Sequence, residues 1–162
     1  IKNKKDIENY NIEVEKYPPI NKFPIQSTIC DVKEQNNKLV IKGYAFASGK
    51  GILRVDVSLD NGKTWKIAKL KEGSEQSYNK SWAWTFWELE VEEKYYKNNI
   101  FYYSSFLPLL TPNFLLNIIN NNRKMNIICK ATDIEYNTQP KTIEEIWNIR
   151  GLINNSWHSY TI

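Results

Sequence analysis

The sequence predicts an all-β sandwich, and three observations carry that reading. From Phe23 onward, short apolar runs of strand length are separated by turn residues. Ile52 to Leu59 alternates cleanly and runs into Asp60-Asn61-Gly62, a turn sequence. Ser81 to Val91 is rich in Trp and distributes its apolar side chains over two faces. The chain of 162 residues fits one domain with a sizeable core, and its six Trp, ten Tyr and six Phe supply the aromatic area that disordered segments lack.

Residues 1–22 are polar and Lys/Asn-rich and end in Tyr17-Pro18-Pro19-Ile20-Asn21-Lys22, whose prolines favour an extended backbone, so this stretch is expected to be a tether. Leu39 to Ala47 is apolar at nearly every position and is closed by Ser48-Gly49-Lys50-Gly51, which reads as a buried strand and a turn. In the next strand the alternation predicts Leu53, Val55, Val57 and Leu59 on the core side, with Arg54, Asp56 and Ser58 in water. Asp60-Asn61-Gly62 tolerates positive φ, and Lys63 to Leu70 resumes a strand pattern, so the two runs are expected to pair as a hairpin.

After a polar loop, strand geometry puts Trp82, Trp84 and Phe86 on one face and Trp87, Leu89 and Val91 on the other. Two arrangements satisfy a strand apolar on both sides: one face covers the core while the other meets a further surface, or a β-bulge near Thr85 swaps the register. Residues 94–123 differ in texture and read as an insertion, partly helical from Pro112. Ile100 to Ile119 has the length of a membrane span, but Pro108, Pro112, Asn113 and Asn117 interrupt it, so no membrane partner is expected. Met125 to Thr132 is a further strand, Arg150-Gly151 marks a turn, and Ser156 to Ile162 closes the fold. Roughly six to eight such strands describe an immunoglobulin-like β-sandwich.

The composition also narrows function. Of the 22 basic residues only Arg54, Arg123 and Arg150 are Arg, and the lysines are scattered, whereas nucleic-acid binders concentrate their charge. No nucleic-acid partner is expected. His158 is the sole histidine, which leaves little room for a multi-His metal site or an acid–base relay, and with no neighbouring nucleophile it reads as a half-buried structural residue. Cys30 and Cys129 are too few for a disulfide scaffold, and Cys30 on the first strand is misplaced for an immunoglobulin-type bridge. The Trp cluster reads as core and interface packing; a free-standing adhesion or sugar-binding module is the alternative. The chain begins at Ile1 with no signal-peptide pattern and reads as a piece of a longer protein, without a catalytic set of its own.

Several stretches together resemble one family. Gly43-Tyr44-Ala45, Arg54 to Trp65, Trp82-Ala83-Trp84 with Trp87, Asn137-Thr138-Gln139-Pro140, and Trp147-Asn148-Ile149-Arg150-Gly151 with Trp157 are similar, in that order, to the carboxy-terminal dimerisation domain of sulfite oxidases. Phe23-Pro24-Ile25-Gln26-Ser27 resembles that domain's opening motif. The resemblance covers residues 23–162 apart from the insertion. It implies an E-set-type sandwich that builds a homodimer, and a molybdopterin-type molybdenum cofactor held by a separate upstream domain, where sulfite becomes sulfate. No cofactor is expected on this stretch itself, and a haem domain elsewhere is left open.

The resemblance further implies that Arg150 reaches the oxyanion pocket from this domain, where its planar fork of donors matches two oxygens of sulfite or sulfate. Eukaryotic assimilatory nitrate reductases, which share the fold and most of the Trp motifs, typically have an apolar residue at the matching position, so the resemblance at Arg150 favours sulfite oxidase. Gly151 is expected to supply a conformation or a close approach that a Cβ would obstruct, and Trp82, Trp84, Trp87, Trp147 and Trp157 are the interface or packing candidates. Family resemblance alone favours the mitochondrial intermembrane space.

Overall fold

The computed structural model describes residues 21–96 and 125–162. Along the chain run β1 (Gln26–Gln35), β2 (Lys38–Phe46), β3 (Ile52–Ser58), β4 (Lys66–Ile67), β5 (Lys69–Leu70), β6 (Thr85–Glu92), β7 (Asn126–Asp133) and β8 (His158–Thr161). They form two four-stranded sheets in the orders β1-β2-β6-β5 and β4-β3-β7-β8, with every pairing antiparallel. This is the immunoglobulin arrangement of A-B-E-D against C-F-G, with β4 added beside β3. β1 and β2 are joined by Asn36-Asn37, both at positive φ, the two-residue turn whose twist matches a hairpin.

Alternation builds the core. Leu39, Ile41 and Ala45 of β2 and Trp87, Leu89 and Val91 of β6 face inward from the first sheet, and Val55, Val57, Ile127, Cys129 and Ala131 face inward from the second. Each large aliphatic side chain buried this way stabilises by about 1.5–3 kcal/mol.

Four sequence expectations need correction. Leu53 is exposed and Ile52 is buried in its place, because the β3–β7 register shifts between Ile52 and Arg54; Asp56 and Ser58, expected in water, are buried. Asp56 accepts a hydrogen bond from Arg54 Nε at 3.1 Å, and Ser58 is enclosed by the turn that follows it. The run from Lys63 to Leu70 is not one strand. β4 pairs with β3, whereas β5 crosses to the other sheet and pairs with β6, and buried Ala68 between them donates to the Val55 carbonyl at 2.9 Å. Trp82 and Trp84 precede the strand, which starts at Thr85, and the last strand is limited to His158–Thr161.

The β2–β6 register is continuous from Lys38↔Glu92 to Ala45↔Thr85, so no bulge swaps the faces of β6 at Thr85. Within the strand only one face is apolar: Trp87, Leu89 and Val91 are buried, while the outer face carries Phe86 followed by Glu88, Glu90 and Glu92. The tether lies almost wholly outside the described residues, as does the insertion beyond Tyr96, together with the membrane-span question raised at Ile100 to Ile119. Residues 93–96 are helical, and the buried Tyr96 donates its hydroxyl to Glu34 at 2.8 Å. Among the described residues no helix is long and apolar enough to cross a membrane.

Candidate functional site

Arg150 lies on the connection between β7 and β8, which is fastened at its base by one buried side chain. Gln139 Oε1 accepts from Ser27 Oγ of β1 at 2.7 Å and from Ala131 N of β7 at 2.8 Å, while its Nε2 donates to the carbonyls of Asn155 and Ser156 at 3.0 and 3.2 Å. Both acceptor positions and both donors of the amide are thereby used. The Gln139 carbonyl accepts from Trp157 Nε1 at 3.1 Å, Trp157 N donates to the Pro140 carbonyl, and Asn155 Nδ2 donates to the Ile25 carbonyl at 2.9 Å. Both ends of the segment are thus tied to the sandwich at one place.

From that base a 3₁₀ helix, Ile143–Ile146, leads to the loop carrying Arg150. Asn148 closes the loop: its Oδ1 accepts from Leu152 N at 3.0 Å, its Nδ2 donates to the Leu152 carbonyl at 2.7 Å, and its own carbonyl accepts from Gly151 N at 3.0 Å. Gly151 has φ +62, and a Cβ there would meet no atom within 4 Å, so it supplies a conformation and no close approach. Ile153 also sits at positive φ, +58, a strained geometry for a β-branched residue.

Arg150 is exposed, and among the described residues no carboxylate or carbonyl engages it. Ile143, Trp147, Ile149, Leu152 and Ile153, all exposed, belong to the same segment. An unpaired guanidinium with apolar neighbours is suited to being covered by another protein surface and to meeting an oxyanion there.

The other candidates fall in two further places. On the outer side of the first sheet, Trp84 stacks on Tyr44 with centroids 4.6 Å apart and Phe86 is the register partner of Tyr44, while Trp82, 61% exposed, stands beside Gly49. Next to this aromatic area lies a charged ladder in which Lys71 and Lys42 hold the Glu88 carboxyl below the usual carboxylate range. Trp87 points the other way, 1% exposed in the core, and among the described residues its Nε1 has no acceptor.

On the second sheet Trp157 meets Trp65 edge-on at 5.1 Å, and the Lys130 ammonium stands 4.2 Å from the Trp65 ring and 5.0 Å from the Trp157 ring. This aromatic pair is filled by the protein's own lysine, a cation–π arrangement. The structure therefore does not gather the six Trp and Gly candidates around Arg150: Trp147 and Gly151 share its loop, Trp157 anchors the loop's base, Trp84 lies on the outer side of the first sheet, Trp82 stands beside Gly49 and Trp87 is in the core.

His158 is half-buried, and its Nδ1 accepts from Ile29 N at 3.3 Å; burial lowers its pKa below the ordinary 6.5. Cys30 and Cys129 are free thiols. Cys129 lies fully buried in the core beside Ser27 Oγ, closed off from any group outside the sandwich, and burial pushes its pKa up to about 12. Cys30 is exposed, with a pKa raised first by burial. Among the described residues no three His, Cys, Asp or Glu side chains converge on a metal position. These residues do not fit a molybdenum centre. Sequence reasoning assigned no role to Gln139, Asn148 or Asn155, although the first two lie inside motifs it singled out.

The family model of the Mo-co oxidoreductase dimerisation domain matches residues 17–103 and 111–162. Human mitochondrial sulfite oxidase (Homo sapiens) is 35% identical over 152 residues, 91% of this chain and 23% of that protein. Sulfite oxidase of Arabidopsis thaliana is 33% identical over 84% of this chain and 30% of its own length. The NADH nitrate reductase of Chlorella vulgaris is 35% identical over a smaller share, 71% of this chain and 28% of its own. The chain thus spans about a quarter of the length of the curated relatives it matches. Among solved structures, the sulfane dehydrogenase SoxCD of Paracoccus pantotrophus superposes with a TM-score of 0.54 at 23% identity, covering 86% of this chain and 30% of that one, which is a likeness of fold.

Proposed function

Because this chain belongs to the Mo-co oxidoreductase dimerisation domain family, we propose that it joins two copies of a molybdenum-cofactor sulfite oxidase and lends Arg150 to the pocket in which sulfite becomes sulfate. Membership in the family displaces the free-standing adhesion or sugar-binding alternative. The observation that carries the proposal is the state of Arg150: a cation with no partner among the described residues, on a stapled loop whose neighbouring side chains are exposed and apolar.

The guanidinium offers two parallel N–H donors to two oxygens of a tetrahedral or pyramidal oxyanion. The cofactor belongs to the part of the protein beyond this chain. Two copies meet, in this reading, through the outer aromatic face formed by Tyr44, Trp84 and Phe86, because aromatic side chains are what interface cores enrich. The mitochondrial sulfite oxidases among the relatives support a mitochondrial location, and the intermembrane space within it follows from the family resemblance alone.

Sulfite oxidases match a larger share of the chain than nitrate reductases do, 91% against 71%, which favours sulfite as substrate. Assaying the full-length protein both ways tests this. Sulfite oxidation with an artificial electron acceptor and no nitrate reduction with a reduced dye is the expected result; nitrate reduction without sulfite oxidation overturns it.

A further inference from the structure

We propose that Asn148 is the positioning residue of Arg150, so that the small ring it closes, and not the sandwich, sets the direction in which the guanidinium is offered to the oxyanion. This rests on the reading of Arg150 given above. Asn148 grips Leu152 by both its main-chain groups, at 3.0 Å through Oδ1 and 2.7 Å through Nδ2, and its own carbonyl receives Gly151 N at 3.0 Å. Arg150 is at the centre of the chain segment so enclosed.

Only an asparagine satisfies both ends of this grip at this length: aspartate lacks the donor for the Leu152 carbonyl, alanine lacks both groups, and glutamine carries an additional methylene. The ring does little for the fold, since Asn148, Arg150, Gly151 and Leu152 are all exposed, where water competes for the same groups. Its cost is visible in the backbone at Ile153, a β-branched residue at φ +58, while Gly151 takes φ +62 without a Cβ to oppose it. A base tied to β1 and β7 and a tip closed on itself hold the segment at both places, which is what presenting one side chain to a neighbouring domain calls for.

The test is a double-mutant cycle in the full-length enzyme, comparing Asn148→Ala, Arg150→Met and the double variant by the KM for sulfite, with thermal midpoints as a control for folding. Asn148→Ala is expected to raise KM about ten-fold, by more than kcat falls, since a misplacement on the order of 1 Å costs that much or more. It should add nothing in the Arg150→Met background, where there is no guanidinium left to aim. An equal effect in both backgrounds overturns the proposal, because a merely structural role would act regardless of Arg150. If Arg150→Met raises KM and Asn148→Ala does not, the positioning role falls alone; if Arg150→Met leaves KM unchanged, the reading of Arg150 falls and the positioning role with it.

Discussion

Gly43 of β2 lies under the indole of Trp87 on β6: a Cβ on Gly43 would come within 2.4 Å of Trp87 Cζ2 and 2.0 Å of the Thr28 carbonyl oxygen. The two residues are register partners, so a position without a side chain makes the space that the largest core side chain fills.

Gly43→Ala is therefore expected to destabilise the domain by about 3 kcal/mol or more, because the obstructing carbonyl belongs to the neighbouring strand and cannot rotate away. For a chain of this size that corresponds to a fall of roughly 6–12 °C in the unfolding midpoint, measured by circular dichroism. A midpoint unchanged by the substitution would show that β1 and β2 separate easily at Gly43, contrary to their antiparallel pairing on both sides of the register shift between Ile29 and Asp31.

Much of this was legible in the sequence, and the misses share a cause. Asp60 was legible because the chemistry of its turn is local: its carboxylate accepts from Thr64 Oγ1, Thr64 N, Lys63 N and Ser58 Oγ, and these bonds outweigh burial and hold its pKa below the ordinary range. The alternation of Trp87, Leu89 and Val91 was legible for the same reason. Leu53 was misread because a register shift against β7 moves one residue out of the alternation, and Lys63 to Leu70 was misread because the crossing at Ala68 is set by which sheet lies nearby. Neither depends on nearest neighbours in sequence. Arg150 was found through motif resemblance, since nothing in its local pattern distinguishes it from a solvated arginine. Asn148 and Gln139 were missed because their partners become apparent only once the segment from Pro140 to Ser156 closes.

The His158 imidazole makes a pH-dependent contribution whose sign can be worked out. Its pKa is lowered by burial, and Nδ1 must be unprotonated to accept from Ile29 N. As pH falls through about 6.5 the unfolded chain takes up the proton first, so stability is lost from there down to the folded pKa. The carboxylates held low, Asp60 and Glu88 among them, contribute their losses further into the acid range. The midpoint should therefore fall between about pH 7.5 and 5.5, and His158→Asn, which keeps an acceptor for Ile29 N, should flatten that slope. A slope that persists in His158→Asn contradicts the assignment.

The outer aromatic face is tested by charge. Trp84→Glu and Phe86→Glu place a carboxylate on an exposed surface where the fold tolerates it, with Trp84→Glu losing a stacking contact worth about 0.5–1.5 kcal/mol. Sedimentation velocity of the full-length protein should show both variants shifted to monomer, whereas Ile67→Glu, on the exposed β4, leaves the dimer intact. Dimers that survive both face substitutions place the self-contact elsewhere.

The measurement that bears most directly on the account is the KM for sulfite in full-length protein carrying Arg150→Met and Arg150→Lys. Loss of a charge-assisted bidentate contact costs on the order of 1.5–3 kcal/mol, so the Met variant is predicted to raise KM at least ten-fold, and Lys, which keeps the charge without the fork, should fall between it and the parent. Equal KM values across the three proteins would contradict the account, leaving Arg150 a solvated side chain on a structural loop.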